Sequence, residues 1–372
     1  MSKIQCWCRA NAMLAISLLA AVVTAFFVPP DRDYLGYYDL KTLSCLFTTL
    51  AVICALRNIR FFTILARAIV RRAKNARLCV LTLVYITFIG SMLLANDMAL
   101  LTFLPLGYFA LTATNKEKYM AFTFIMQNIA ANLGGMLTPF GNPQNLYLYS
   151  RFAIPTSEFM GIMLFPFCLS IAAVTALVLI VVRPEPLSVP EEHYPLNKPR
   201  AVVYTVLFLL AIASVFRVVP YLISLGIIFV CLLFLDRRAL LKVDYALLLT
   251  FTAFFIFSGN MARIPAVREI LSALLMKNTM LVSALSCQLI SNVPTAILLS
   301  SFTADYRGLL LGVNIGGVGT LISSLASLIT FRQYATVAPG KTKSYLLLFA
   351  LINLFFLALL LSAESLYLRI FG

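Results

Sequence analysis

Apolar runs of about 17–22 residues, the length a helix needs to cross a bilayer, recur along the whole chain. A chain of 372 residues that is 62% hydrophobic and only 12% charged cannot hide that much apolar surface in a soluble core. A β-barrel would alternate with period two in short segments, and these runs do not. The expected fold is therefore an all-α polytopic membrane protein. The spans read as 12–29, 38–56, 119–149, 159–182, 201–216, 218–235, 244–261, 306–331 and 345–369.

Charge gives these spans an orientation. A net charge of +15 would suggest nucleic acid in a soluble protein, but here it reflects basic loops on one side of a membrane, and no nucleic-acid partner is expected. With the N-terminus cytoplasmic, that terminus (Lys3, Arg9) and the loops Arg57–Arg77, Lys116/Lys118, Arg183–Arg200, Arg237–Lys242 and Arg332–Lys343 hold 20 of the 29 Lys and Arg residues. The acidic loop Asp31–Asp39 and the C-terminus then lie outside, after nine crossings. Asn11–Val28 lacks a small-x-small cleavage site and is kept as a helix. Arg57–Arg77, with seven basic residues among Phe61, Phe62, Ile64 and Leu65, reads as an interfacial amphipathic helix, and 262–276 takes the corresponding place later. The eight cysteines read as small buried hydrophobes, and Cys6-x-Cys8 is too little for a metal site.

Two apolar regions do not fit a simple crossing. Lys277 and Asp305 bound 27 apolar residues with "SNVPT" in the middle. Each arm is about 13 residues, roughly 20 Å of helix against a hydrocarbon core of about 30 Å. Pro294 would also break a single helix. Region 278–304 is therefore expected to be a re-entrant hairpin. Region 78–113 turns at Ala95–Asp97 with longer arms, which fit either a re-entrant hairpin or two full spans.

The segments "NLGGMLTPFGNPQNL" (132–146) and "NIGGVGTLISSLASL" (314–328) match at an offset of 182 residues. Each follows a hairpin with an Asn at its tip. The chain divides into a first repeat, 1–182, with hairpin 78–113 and broken helix 119–149; a linker and bridging span, 183–217; and a second, inverted repeat, 218–372, with hairpin 278–304 and broken helix 306–331. Inverted repeats with discontinuous helices are how secondary transporters build a site near the bilayer midplane. Pro139 and Pro143 stop the helix from re-forming, and Gly141 permits close backbone approach. The candidate substrate- and ion-binding residues are Asn96 and Asp97 at the first tip, and Ser291, Asn292 and Thr295 at the second. Thr138, Gly141, Asn142, Gln144 and Asn145 belong to the first break, Thr320, Ser323 and Ser324 to the second.

"LANDMALLTFLPL", "GGMLTPFGNPQNL" and "QLISNVPTAILL" together resemble the ion transporter superfamily, in particular its arsenite-permease and citrate-transporter-like branch. The resemblance covers essentially the whole chain. It implies an elevator-type carrier, dimeric through a scaffold, with substrate between two hairpin tips that read Ser-Asn-Thr in the sodium symporters. Here Val293 replaces the second Thr and Asp97 the first, which leaves open whether Na+ or H+ is the coupling ion. A Na+ site is expected near Asn96, Asp97, Gly141 and Asn292, and no other cofactor. A carboxylate at membrane depth is costly and by default functional. The expected activity is secondary active transport of a small anion or metalloid oxyacid across a bacterial inner membrane, coupled to H+ or Na+. The alternative is a cation/proton antiporter with Asp97 as its exchange site. No HExxH motif, nucleophile elbow or catalytic residue is found, so no enzyme is expected. His193 reads as a solvated loop residue and Glu364 as an interfacial one near the outer end of the last span.

Overall fold

A computed structural model describes residues 12–187 and 196–371; Lys3, Cys6, Cys8, Arg9 and His193 lie outside them. The first half contains α1 (Ala12–Phe27), α2 (Leu40–Asn58) and the short amphipathic α3 (Phe61–Val70). A helical hairpin follows, α4 (Ala76–Leu94) and α5 (Asn96–Thr112). Next come α6 (Met120–Gly134), a break, α7 (Pro143–Arg151) and the long α8 (Thr156–Val181). After the bridging α9 (Lys198–Val215) the order repeats: α10 (Tyr221–Leu235), the one-turn α11 (Arg237–Leu241), α12 (Tyr245–Arg263) and the amphipathic α13 (Pro265–Lys277). The second hairpin is α14 (Thr279–Ile290) and α15 (Asn292–Leu299), followed by α16 (Tyr306–Ile315), a break, α17 (Leu325–Val337) and α18 (Thr342–Phe371). The described residues form no strand.

Among the described residues, six helical segments are long and apolar enough to cross a membrane: α2, α4, α8, α9, α12 and 339–371. The arms of the second hairpin are not. With 12 and 8 residues they reach roughly 18 Å and 12 Å. The first hairpin has longer arms, yet its tip also stops short of the far end of the bundle. Asn96 Nδ2 donates to Asn132 Oδ1 (3.2 Å), beside the break after α6, and the nine residues of α7 continue beyond that point.

Polar contacts sort the loops to two ends. At one end, Asn58 donates to Asp236 and accepts from Lys242 (2.9 Å each), and Lys116 meets Glu185 (2.8 Å). These are loops expected on the basic side. At the opposite end Arg263 holds Asp31, Arg217 holds the Tyr149 carbonyl, and Tyr306 holds Glu158. The halves interlock: α1 packs along α12, where Asn260 Nδ2 donates to Thr24 Oγ1 (3.3 Å). One apolar core gathers α2, α9, α10 and α11 around Ile53, Tyr204 and Ile228. The other surrounds the broken helices, around Phe124, Leu148 and Leu310. The amphipathic α3 is shorter than the basic stretch around it, and Phe62, Ala66 and Val70 pack on the core formed with α2.

At the basic end Glu185 clasps the base of the first hairpin. Its carboxylate accepts from Lys116, Lys118 (2.5 Å) and Tyr119 (2.9 Å), and its carbonyl from Ala76 N (2.7 Å). The lysine and tyrosine donors hold the Glu185 carboxyl down at about 2. A lowered folded value contributes stability that is complete above the unfolded value near 4.5 and is lost as pH falls toward about 2. Glu185→Gln is therefore expected to lower the melting temperature modestly at neutral pH, because the site is exposed to solvent. It should also flatten the acid limb below pH 4.5. Thermal unfolding in detergent across pH checks both; an unchanged acid limb would remove Glu185 from the clasp.

Candidate functional site

Both hairpin tips are built the same way. Ala95 (φ 65°, ψ 151°) and Ser291 (φ 73°, ψ 158°) each precede the second arm in a backbone region that is essentially glycine's. Each costs on the order of 1–3 kcal/mol, and each turns the chain back without a loop. The following Asn accepts from the next backbone N–H in both, Asn96 Oδ1 from Asp97 N and Asn292 Oδ1 from Val293 N (2.9 Å each).

The broken helices dock on their hairpins through matched contacts. Thr138 Oγ1 donates to the Met92 carbonyl (3.0 Å), and Thr320 Oγ1 to the Gln288 carbonyl (3.1 Å). Gly134 lies against the Phe88 carbonyl and Gly316 against Ala284, so close that a Cβ on either would fall within 3 Å of backbone. Across the halves, Asn314 Nδ2 donates to Asn145 Oδ1 (2.7 Å) and Asn128 Nδ2 to Ser327 Oγ (3.3 Å).

The two tips meet at one cavity of about 140 Å³. Four helix N-termini of the hairpins and breaks reach it: α5 with Asn96 and Asp97, α7 with Pro143, α15 with Asn292 and Pro294, and α17 with Leu325. Its other wall comes from α1 and the start of α12, where Asp244 and Thr250 face it, and Arg332 of α17 lines it as well. Asp244 caps α12 at the basic end, so the cavity belongs to that end of the α1–α12 pair.

Of the sequence candidates, Asn96, Asp97, Ser291 and Asn292 line the cavity. Asn142, Gln144, Asn145, Ser323, Ser324 and Thr295 are buried behind it. Asn145 Nδ2 ties the Gly135, Met136 and Thr138 carbonyls (3.2–3.4 Å), which holds the first break in shape. Ser323 does the same for Gly317 and Thr320, Ser324 caps α17, and Thr295 back-bonds to the Ser291 carbonyl. Gly141 packs against the Gly135 carbonyl. Thr138 and Thr320 pin hairpins, and Thr320 is exposed away from the cavity. Sequence reasoning missed Asp244, Thr250 and Arg332, and it read Asn132 and Asn314 only as a repeat signature. Glu364 of α18 is buried against its neighbours (1% exposed).

Several buried acceptor oxygens have no partner among the described residues: Asp97 Oδ1, Asn142 Oδ1, Gln144 Oε1 and Asn314 Oδ1. A Cβ on Gly135 would meet Asn142 Oδ1 at 2.5 Å and the Gly141 carbonyl at 2.9 Å, so these two oxygens share one small space. An oxygen-only donor set of this kind suits a hard cation such as Na+.

Comparison with known proteins agrees with this architecture. The model of the Citrate transporter family matches residues 6–306. An uncharacterized transporter of Methanocaldococcus jannaschii, MJ0456, is 32% identical over 298 residues, 79% of this chain and 81% of its own. The inner membrane protein YbiR of Escherichia coli is 30% identical over 336 residues, 87% of this chain and 88% of its own. Among solved structures, the Alcanivorax borkumensis YdaH transporter, described as having an unusual topology, superposes with a TM-score of 0.50 at 13% identity, covering 90% of this chain and 88% of that one. The fold likeness, the matched residues and the two long relatives make this chain a membrane transporter of the citrate transporter family.

Proposed function

We propose that the chain is a secondary active carrier that binds a small anion between the two hairpin tips, with H+ or Na+ loaded at Asp97. The observation that carries this reading is the meeting of four helix N-termini at one small cavity. Each terminus presents roughly half a positive charge. Arg332 adds a positive charge, while Asp97 and Asp244 each subtract one when ionised. Those four termini and one Arg against two carboxylates leave a surplus of roughly one positive charge, to which the α12 terminus capped by Asp244 adds about half. Neutralising Asp97 with a proton or Na+ raises that surplus by one. An anion therefore binds better after the cation has loaded, which is the thermodynamic condition for symport. The same donors suit a metalloid oxyacid that carries charge. A cation/proton antiporter is less well supported, because the helix termini repel a cation everywhere except at the carboxylates.

Orientation and motion belong to this reading. The basic end is taken as cytoplasmic in a bacterial inner membrane, with the N-terminus on that side. The tips touch the basic end of the α1–α12 pair, so the site faces inward here. Hairpins and broken helices would move past a scaffold of α1, α2 and α9–α12, which would also carry a homodimer contact. The matched tips, pins and glycines support the division into two inverted repeats joined by 183–217.

Purified protein in proteoliposomes, given labelled di- and tricarboxylates, phosphate and arsenite under imposed pH or Na+ gradients, tests the function. Concentrative uptake of at least one anion under one gradient is expected. Flat uptake of all of them, with intact protein, would sink the carrier reading. Impermeant thiol labelling of a cysteine at position 198 tests sidedness, and modification from the outside of intact cells would reverse the orientation.

A further inference from the structure

We propose that the large cavity at the opposite end of the bundle is a capture site for small oxyanions, a station separate from the site between the tips. It rests on the anion-carrier reading above. The cavity is about 870 Å³ and lies between α2, α7, α12 and α15. Its charge is what sets it apart. Of the described basic residues, 18 belong to the basic end, which leaves nine elsewhere: Arg32, Lys41, Arg151, Arg217, Arg263, Arg268, Lys277, Arg307 and Arg369. Membrane insertion disfavours Lys and Arg near spans on this side. Four of the nine nevertheless line this one cavity: Lys41, Arg151, Arg263 and Arg268.

Arg263 is committed, since its guanidinium holds both Asp31 oxygens (3.0 and 2.6 Å) and the Tyr37 hydroxyl (3.1 Å). Lys41, Arg151 and Arg268 make no side-chain hydrogen bond or ion pair among the described residues. Among the described residues the only carboxylate in the lining is Asp39, and it is occupied as the cap of α2, accepting from Thr42 N (2.9 Å) and Thr42 Oγ1 (2.5 Å). Three uncommitted cations thus face one engaged carboxylate in a concave, partly apolar space. Such a space focuses the field and attracts anions. The floor is fixed: Ser258 Oγ meets Ser301 Oγ (3.0 Å) and the Ile297 carbonyl (2.9 Å), and Tyr147 OH meets Ser300 (2.8 Å). Ile297 and Ser301 belong to the second hairpin and its outer end, so an anion held here rests against the element whose tip forms the transport site. Di- or tricarboxylates and phosphate have the oxygens to bridge Arg151, Arg268 and Lys41, which a monovalent halide lacks.

Ser150, on the wall, gives a readout that does not require the substrate to be known. Ser150→Cys is made on a background with the native cysteines replaced. Its modification rate is measured in vesicles with two impermeant methanethiosulfonates of similar size, the anionic sulfonatoethyl and the cationic trimethylammonioethyl reagent. At low salt the anionic reagent is expected to react at least about tenfold faster relative to its rate with free cysteine, a preference that falls with ionic strength. Arg151→Gln together with Arg268→Gln should abolish it. Citrate or inorganic phosphate at millimolar concentration should slow both reagents in phosphatidylcholine vesicles, but not in the double variant. Equal rates for the two reagents, or a preference that survives the double variant, would overturn the proposal. Protection that needs phosphatidylglycerol and no added anion would assign the cavity to a lipid headgroup and also overturn it. Labelling results are independent of uptake: failed anion uptake with intact labelling preference and protection sinks the carrier reading and leaves the anion site standing.

Discussion

Asp97→Asn is expected to abolish gradient-driven accumulation while downhill exchange of substrate persists. Asp97 stands in the first turn of α5 and lines the cavity between the tips; its Oδ1 is buried without a partner among the described residues. Asn has the same shape and suits a helix start, so the fold and the helix N-termini proposed to bind the anion should survive. What Asn cannot do is change charge. One proton per substrate under a gradient of two pH units sustains about 100-fold accumulation, since each tenfold ratio corresponds to about 1.4 kcal/mol. The variant should fall to about equal concentrations inside and out, with counterflow still measurable. If Na+ is the coupling ion, the loss appears under the Na+ gradient instead. Accumulation that matches wild type under both gradients would refute any coupling role for Asp97 and leave Asn96 and Asn292 as the tip residues to examine.

Gly134→Ala should damage the fold more than its size suggests. The added Cβ would lie 2.2 Å from the Phe88 carbonyl oxygen and 2.6 Å from Ser91 Oγ. That carbonyl is in the middle of α4 and already accepts from Ser91 (2.8 Å), so it cannot retreat alone. Either the first hairpin or the broken helix must move. Helix propensity favours Ala by about 1 kcal/mol, while overpacking costs typically about 1–3 kcal/mol and more when backbone is struck. The clash therefore wins. Gly316→Ala, whose Cβ would approach Ala284 Cα at 2.8 Å, should follow with a smaller loss. Gly161 and Gly226 have nothing within 4 Å and supply controls that should hold or gain stability. Melting temperature and the monodisperse fraction in detergent give the ranking: Gly134→Ala lowest, Gly316→Ala next, the controls at or above wild type. A Gly134→Ala protein as stable as the controls would show that α4 and α6 are not in the close contact described.

The hairpins and breaks were legible because Pro, Gly and Asn interrupt apolar sequence where an interruption is costly. "SNVPT" and "GNPQN" needed no partner to be recognised, and the tips Asn96 and Asn292 followed from them. Asp244, Thr250 and Arg332 were not legible. They belong to segments with ordinary loop and span composition; Asp244 and Thr250 reach the tips only because α12 lies beside them, and Arg332 because α17 starts at the cavity. Thr138 and Thr320 show a different limit. Their matched positions were visible, but a hydroxyl is defined by its acceptor, and the acceptors are main-chain carbonyls of Met92 and Gln288. The burial of Glu364 was not legible either, because burial depends on neighbours that the sequence does not place; α6, α8 and α16 pack against α18.

The shortness of α15 has an electrical consequence. Its first residues, Asn292 to Pro294, line the cavity at the basic end, and Ile297 lines the cavity at the other. Between Pro294 and Ile297 the helix rises only about 4.5 Å. If water fills both spaces, the membrane voltage falls mainly across this septum and not across some 30 Å of hydrocarbon. A charge that shifts by one helical turn there would cross most of the field, worth up to about 2.3 kcal/mol per 100 mV. The turnover of this transporter should therefore respond to voltage far more steeply than the size of its local displacements suggests.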